Sequence, residues 1–245
     1  VFVRVSDGFC VKVTVTVLVE GEGFEVTSFR GDGPYLDGRR PVEVRLGVSL
    51  EEDLARRDFT INAIAYSATG EMVDPFGGLQ DLKDHKIRCI GDPMRRFGEN
   101  PIRMLRAARM AAEFGFWPED KVLSAMRELG GTLAKAGPDR IRTDFVRLVE
   151  SSYPSRGLKL LLDTNLLDPV IGISDHTLSA DCREKVLALT QSIDTVPCAN
   201  GQRLGLFYRC LGAEQGKAAI FALNFDKKTR KQLESFLRQE TEGTC

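Results

Sequence analysis

The stretch Glu99-Asn100-Pro101-Ile102-Arg103-Met104-Leu105-Arg106-Ala107-Ala108-Arg109 carries arginines at i, i+3 and i+6. On an α-helix this spacing gathers them within about a third of the circumference. Met104, Leu105, Ala108, Ala111 and Ala112 fall on the other side and read as a face packed on neighbouring helices. Asn100 is a good N-cap and Pro101 suits the first helical position, so the helix dipole and the arginines point into one space. Such a helix suits an anionic, planar ligand such as a nucleotide. The residues alone leave a second reading open, an exposed basic face paired with surface carboxylates.

The charge around this helix is uneven. From Lys86 to Arg109 there are seven Lys/Arg (86, 88, 95, 96, 103, 106, 109) against Asp92 and Glu99, a local excess of five in a chain of net charge −1. That pattern predicts a focused phosphate-facing patch and excludes a histone-like polycation. The 245 residues suffice for one large domain or two to three small ones. No apolar run approaches the roughly 18 residues needed to span a bilayer, and a soluble, cytoplasmic protein is expected. The six cysteines (10, 89, 182, 198, 210, 245) are scattered, with no C-x-x-C pair, so reduced thiols are expected rather than a zinc site or disulfide framework. His85 and His176 are the only imidazoles, and loop or surface positions suit them better than catalysis.

Upstream of the arginine helix the chain reads as β-rich. Residues 11–19 alternate and are β-branched, Gly21-Glu22-Gly23 offers a hairpin turn, and Phe24–Phe29 returns as the partner strand. Residues 30–41 hold Gly31, Gly33, Pro34, Gly38 and Pro41 and read as a loop. Arg30, Asp32, Asp37, Arg39 and Arg40 make it a candidate mobile substrate loop, with a merely solvated connection as the alternative. Val42 to Leu46 predicts a third strand, and Lys86 to Ile90 a short one ended by Gly91. Ser49 and Glu52 form a capping box that opens a helix over 50–57. From Pro93 onward helices follow one another, broken at Gly130-Gly131, Gly137-Pro138, Tyr153-Pro154 and Asp168-Pro169.

Several of these segments together resemble one family. Arg56-Arg57-Asp58-Phe59-Thr60-Ile61-Asn62-Ala63, the Asp74–Leu82 turn and Glu99-Asn100-Pro101-Ile102-Arg103 resemble successive motifs of class II tRNA nucleotidyltransferases (CCA-adding enzymes) and the related bacterial poly(A) polymerases. Phe24–Arg30, Asp37-Gly38-Arg39-Arg40-Pro41 and Asp139–Phe145 resemble further motifs, and the likeness runs from about residue 11 to 170. It implies an α+β fold: the remainder of a nucleotidyltransferase head with a mixed or antiparallel sheet (1–92), a helical neck for base recognition (93–150) and a helical, tRNA-binding body (151–245).

The resemblance also implies roles. Arg57 would hold the incoming nucleotide, Asp58 would accept the ribose 2′-hydroxyl and Asn62 would brace that turn, with a plain turn residue as the alternative for Asn62. Arg103, Arg106 and Arg109 match nucleotide-contacting positions. An acidic acceptor beside an arginine donor suits cytosine and adenine, because both present an exocyclic amino donor next to a ring-nitrogen acceptor. The substrates implied are CTP and ATP, the partner is the tRNA 3′ end, and the cofactor is Mg²⁺.

Two departures from the family pattern stand out. Where the family has its template aspartate, this chain has Asn100, which predicts C/A selection weaker by about 1–3 kcal/mol; a simple N-cap role is the rival. The metal-binding pair of aspartates is expected upstream, and no Asp-x-Asp occurs in this chain. Glu25 is a candidate third carboxylate, with a solvent-facing strand glutamate as the alternative. The chain is therefore expected to be an N-terminally truncated form of a CCA-adding enzyme, without nucleotide-adding activity by itself. A bacterial poly(A) polymerase and a non-catalytic nucleotide- or RNA-binding relative are the other readings. In the C-terminal part, Asp226 to Glu240 predicts an amphipathic helix whose Lys227–Lys231 cluster meets RNA backbone or solvent.

Overall fold

A computed structural model describes residues 3–4, 14–35, 41–172, 178–199 and 201–238. The β-branched alternation at the start folds as predicted into a hairpin. Strands β2 (Thr14–Val19) and β3 (Glu22–Thr27) pair antiparallel with Val17 opposite Phe24 and Val15 opposite Val26, and β1 (Val3–Arg4) adds to β2. The turn is Glu20-Gly21, not Gly21–Gly23. Both residues take positive φ (+52° and +89°), the backbone of a two-residue hairpin, and Gly23 lies in β3 opposite Leu18.

The glycine-rich stretch from residue 30 is not all loop. Arg30–Asp32 forms β4, antiparallel to β5 (Val44–Leu46). Gly31 lies inside β4, and a Cβ there would come 3.0 Å from Glu52 Oε1 and 3.1 Å from an Arg45 nitrogen, the flexible ends of two exposed side chains. Asp37, Gly38, Arg39 and Arg40 of the candidate mobile loop lie outside the described residues.

Helix α1 (Leu50–Ala55) starts where the capping box predicted, with Ser49 Oγ accepting the Glu52 N–H at 3.2 Å. A 3₁₀ turn (Thr60–Asn62), the small hairpin of β6 (Ala65–Tyr66) and β7 (Met72–Val73), and α2 (Gly78–Lys83) follow. The predicted strand over 86–90 is shorter, with only β8 (Lys86–Ile87) running parallel to β9 (Trp117–Pro118). Then come α3 (Pro93–Glu99), α4 (Ile102–Phe114), α5 (Asp120–Leu129), α6 (Pro138–Val149), α7 (Pro154–Asp163), α8 (Leu167–Val170), α9 (Ala180–Leu189), α10 (Gln202–Cys210), α11 (Gly212–Ala222) and α12 (Lys227–Arg238). Asp168-Pro169 does not break a helix; both lie inside α8, where Pro169 in the first turn removes no intrahelical bond.

The core is continuous from Phe59 to Leu237, with α4 at its centre packed on α6 and α7. Gly157 of α7 makes that contact possible, since a Cβ there would stand 2.7 Å from Leu148 and 2.9 Å from Ala112. Met104, Leu105, Ala108, Ala111 and Ala112 are fully buried, as the helical period predicted. His85 takes positive φ and stacks on Phe116 at 5.1 Å, while His176 lies outside the described residues. No described helix is long and apolar enough to cross a membrane. The described cysteines 89, 182, 198 and 210 are free thiols.

Candidate nucleotide-binding site

The site begins with a turn held from below. Asp74 accepts the N–H groups of Gly78 (2.7 Å) and Leu79 (2.9 Å), which starts α2. Asp81, one turn on and buried, accepts from Thr60 Oγ1 at 2.5 Å and from Arg88 Nε at 2.9 Å. Gly78 sits directly on Thr60, where a Cβ would overlap the carbonyl oxygen. The stretch 74–82 thus acts as the floor under residues 56–62.

On that floor, Asp53 organises three arginines. Its buried carboxylate accepts the Arg30 backbone N–H (3.1 Å), Arg56 Nε and Nη2 (3.1 and 2.6 Å) and Arg57 Nη2 (3.1 Å). Burial alone would raise its pKa. The Arg30 N–H and the two guanidiniums outweigh burial and hold the carboxyl below the usual carboxylate range. Arg57 also donates to the Asn62 carbonyl at 2.9 Å. Asp58 is buried; its Oδ1 accepts the Phe59 N–H (2.9 Å) and Asn62 Nδ2 (3.0 Å), and its Oδ2 lies 2.7 Å from Arg106 Nη1. Asn62 therefore braces Asp58 through its side chain.

The arginines of α4 are not an open basic face. Arg103 and Arg109 are buried, and each has a carboxylate one helical turn away. Arg103 Nη1 is 3.2 Å from Glu99 and 3.1 Å from the Arg96 carbonyl, and the guanidinium lies over the Tyr35 ring, 5.8 Å from its centroid. Arg109 pairs with Glu113 (2.9 Å) and with Asp144 of α6 (2.9 Å). Burial pushes the Asp144 carboxyl up, against the pull of Arg109. Arg96, also burial-limited, donates to the carbonyls of Arg56 and Arg57 and so ties α3 to the turn.

Asn100 forms the joint between α3 and α4. Its N–H donates to Arg96 (3.3 Å) and its carbonyl accepts from Arg103 (3.1 Å), in extended backbone at φ −154°. Contrary to the N-cap expected from sequence, Asn100 is the C-cap of α3 and Pro101 takes the N-cap place of α4, because the Asn100 N–H is already committed to the Arg96 carbonyl. The Asn100 side chain makes no cap. Its Oδ1 is buried without a hydrogen-bond partner.

These groups converge on one cavity of about 960 Å³. Arg57, Asp58, Asn62, Asn100, Arg103, Arg106 and Arg109, all singled out from sequence, line it. So do residues that sequence reasoning did not single out as site residues, among them Tyr35, Arg56, Phe114 and Arg140. Tyr35 donates to Asp32 at 2.8 Å; burial and that carboxylate push the phenol up to about 12, so it stays a neutral donor. Seven arginines against three carboxylates make the walls a receptor for a polyanion. Glu25 is not among the lining residues; it lies exposed on β3, opposite Thr16.

Magnesium is a separate matter. No group of three His, Cys, Asp or Glu among the described residues could hold a metal ion. The carboxylates of the cavity are engaged: Asp32 by Arg30 and Tyr35, Asp58 by Arg106, Glu113 by Arg109. The described residues do not fit a Mg²⁺ site.

Residues 5–88 match the model described as poly A polymerase head domain, and residues 115–173 match the one described as "probable RNA and SrmB-binding site of polymerase A". The chain belongs to the CCA-adding enzyme and poly(A) polymerase family. Among its relatives, the CCA-adding enzyme of Limosilactobacillus fermentum is 45% identical over 166 residues, which is 68% of this chain and 42% of that protein. The Lactobacillus helveticus CCA-adding enzyme is 43% identical over 157 residues, 64% of this chain and 39% of the relative. The chain therefore spans about two fifths of the length of these relatives. The crystal structure of the Bacillus stearothermophilus CCA-adding enzyme in complex with CTP superposes with a TM-score of 0.80 at 30% identity, covering 94% of this chain and 54% of that one. The fold is thus the α+β fold of that family, in which the arginine helix joins the turn-bearing half to the helical half.

Proposed function

We propose that this chain carries the nucleotide- and RNA-end-binding part of a tRNA nucleotidyltransferase that adds CMP and AMP, from CTP and ATP, to the tRNA 3′ end. The observation that carries the reading is the buried, unpartnered Asn100 Oδ1 in an arginine-walled cavity, one helical turn from Arg103. An acceptor beside a donor matches the amino group and ring nitrogen on the edge of cytosine or adenine. The superposition on a CCA-adding enzyme bound to CTP supports the same ligand class.

In the reaction the RNA 3′-hydroxyl attacks the α-phosphorus of the triphosphate and pyrophosphate leaves. The described residues serve binding and orientation. Arg57 holds the nucleotide from the turn, Asp58 accepts the ribose 2′-hydroxyl with Asn62 fixing its other oxygen, and Asn100 with Arg103 reads the base edge. Arg106 and Arg109 keep the wall cationic. The division into head (1–92), neck (93–150) and body (151–245) assigns the tRNA to the helical body, in a cytoplasmic setting. Mg²⁺, which supplies charge neutralisation in such transfers, is not assigned to any described residue.

Calorimetric titration with the four ribonucleoside triphosphates tests this. CTP and ATP should bind, GTP should bind more weakly, and Arg57→Ala should weaken CTP. Absence of CTP and ATP binding to the folded chain sinks the reading.

A further inference from the structure

The cavity is longer than one base-reading end requires. Helix α4 runs along it, with Arg103, Arg106, Met110 and Phe114 all in the lining. From residue 103 to 114 is a rise of about 16 Å along the axis, several times the roughly 3.4 Å step between nucleotides of a stacked strand.

The two ends differ in chemistry. At one, the Asn100 amide and the Arg103 guanidinium offer a donor–acceptor edge. At the other, Phe114 is 53% exposed although it sits on the helix at the centre of the core. Its ring rests at 5.7 Å on Phe116, which is itself stacked on His85, so the aromatic is supported from behind while half of it faces solvent. The chain turns away immediately afterwards at Gly115, φ +71°. Arg140 of α6 also lines the cavity and acts electrostatically on Asp144, the partner of Arg109 about one turn before Phe114. A supported aromatic in a wall where arginines outnumber carboxylates suits an unpaired nucleobase and its phosphate better than an apolar peptide.

We propose that Phe114 and Arg140 form a second base subsite, which stacks an unpaired base near the 3′ end of the RNA strand while the Asn100–Arg103 end holds the nucleoside triphosphate. This rests on the nucleotide reading above and adds the place of the second substrate to it.

The test uses two probes on the whole chain: CTP by calorimetry, and a fluorescein-labelled RNA hairpin with a short single-stranded 3′ tail ending in cytidine, by anisotropy. Phe114→Ala should weaken the tailed hairpin about tenfold or more, a far larger factor than any change in CTP binding. Phe114→Trp should keep RNA affinity, and its indole fluorescence should fall as the tail stacks. A blunt hairpin should show no dependence on residue 114. Equal RNA affinity for Phe114→Ala and the unaltered chain overturns the subsite, as does an equal loss for tailed and blunt hairpins. Binding of CTP without binding of tailed RNA overturns the subsite alone; binding of neither overturns the nucleotide reading as well.

Discussion

Arg106 Nη1 stands 2.7 Å from Asp58 Oδ2, and this pair joins the turn at 56–62 to the arginine helix across the cavity. The other carboxylate oxygen is already committed to the Phe59 N–H and the Asn62 amide. Asp58 is thereby fixed in place, with Oδ2 buried beside the guanidinium, so a ligand hydroxyl reaches it by sharing or displacing the Arg106 contact. If that ligand is the ribose 2′-hydroxyl, Asp58→Ala should reduce the preference for CTP over dCTP by about 10- to 100-fold, the worth of a hydrogen bond to a charged group. Calorimetry with both nucleotides measures the ratio, and a ratio equal to that of the unaltered chain removes Asp58 from the ribose site.

Asp53 is the anchor for Arg30, Arg56 and Arg57, and its replacement should be felt in stability first. Asp53→Asn leaves the partly exposed Arg56 and Arg57 guanidiniums and the Arg30 N–H without their anion, at a cost of about 1–2 kcal/mol after solvent screening. The pH dependence has a definite sign. The folded-state pKa is lowered, so the stabilisation is present above the unfolded-state value and is lost as pH falls through the folded one. Urea unfolding of the unaltered chain and of Asp53→Asn should therefore differ most near neutrality and converge as the solution is acidified. Parallel curves at every pH contradict the assignment.

Much of this site was legible in the sequence because its signals are local. The i, i+3, i+6 arginines, the Ser49 cap and the alternation in the hairpin each depend on neighbours within a few residues. What was illegible depends on distant segments meeting. Arg109 finds Asp144 thirty-five positions away, and the Arg30 N–H finds Asp53 twenty-three away, so neither pairing leaves a periodic trace. Glycine misled in two places. Gly31 lies within β4 and Gly23 within β3, while Glu20, with no glycine's freedom, takes the left-handed turn position. The exposed Phe114 reads in sequence as one more apolar residue of a helix.

Glu25 was a candidate carboxylate for the reaction, and its place on β3 gives it a different expectation. It is exposed and outside the cavity lining. Glu25→Gln should leave CTP affinity and unfolding midpoint where they are, within the few tenths of a kcal/mol usual for surface positions. A clear loss of CTP binding in the presence of Mg²⁺, absent without it, would restore Glu25 as a metal-associated group.

Asn100 offers the sharpest test of base reading, because its two roles separate cleanly. The backbone of residue 100 joins α3 to α4 through the Arg96 and Arg103 bonds, and any side chain preserves those. The side-chain oxygen caps nothing and is buried without a partner among the cavity groups. An aspartate at this position can only accept, and accepts with charge, whereas the amide is neutral and its donor end can turn toward uracil or guanine. Asn100→Asp should therefore increase the affinity ratio of CTP over UTP by about 5- to 150-fold, corresponding to about 1–3 kcal/mol for one good base contact. Stability should change little, since no cap is gained or lost. Unchanged selectivity across CTP, ATP and UTP would refute the base-reading role and leave residue 100 a joint between two helices.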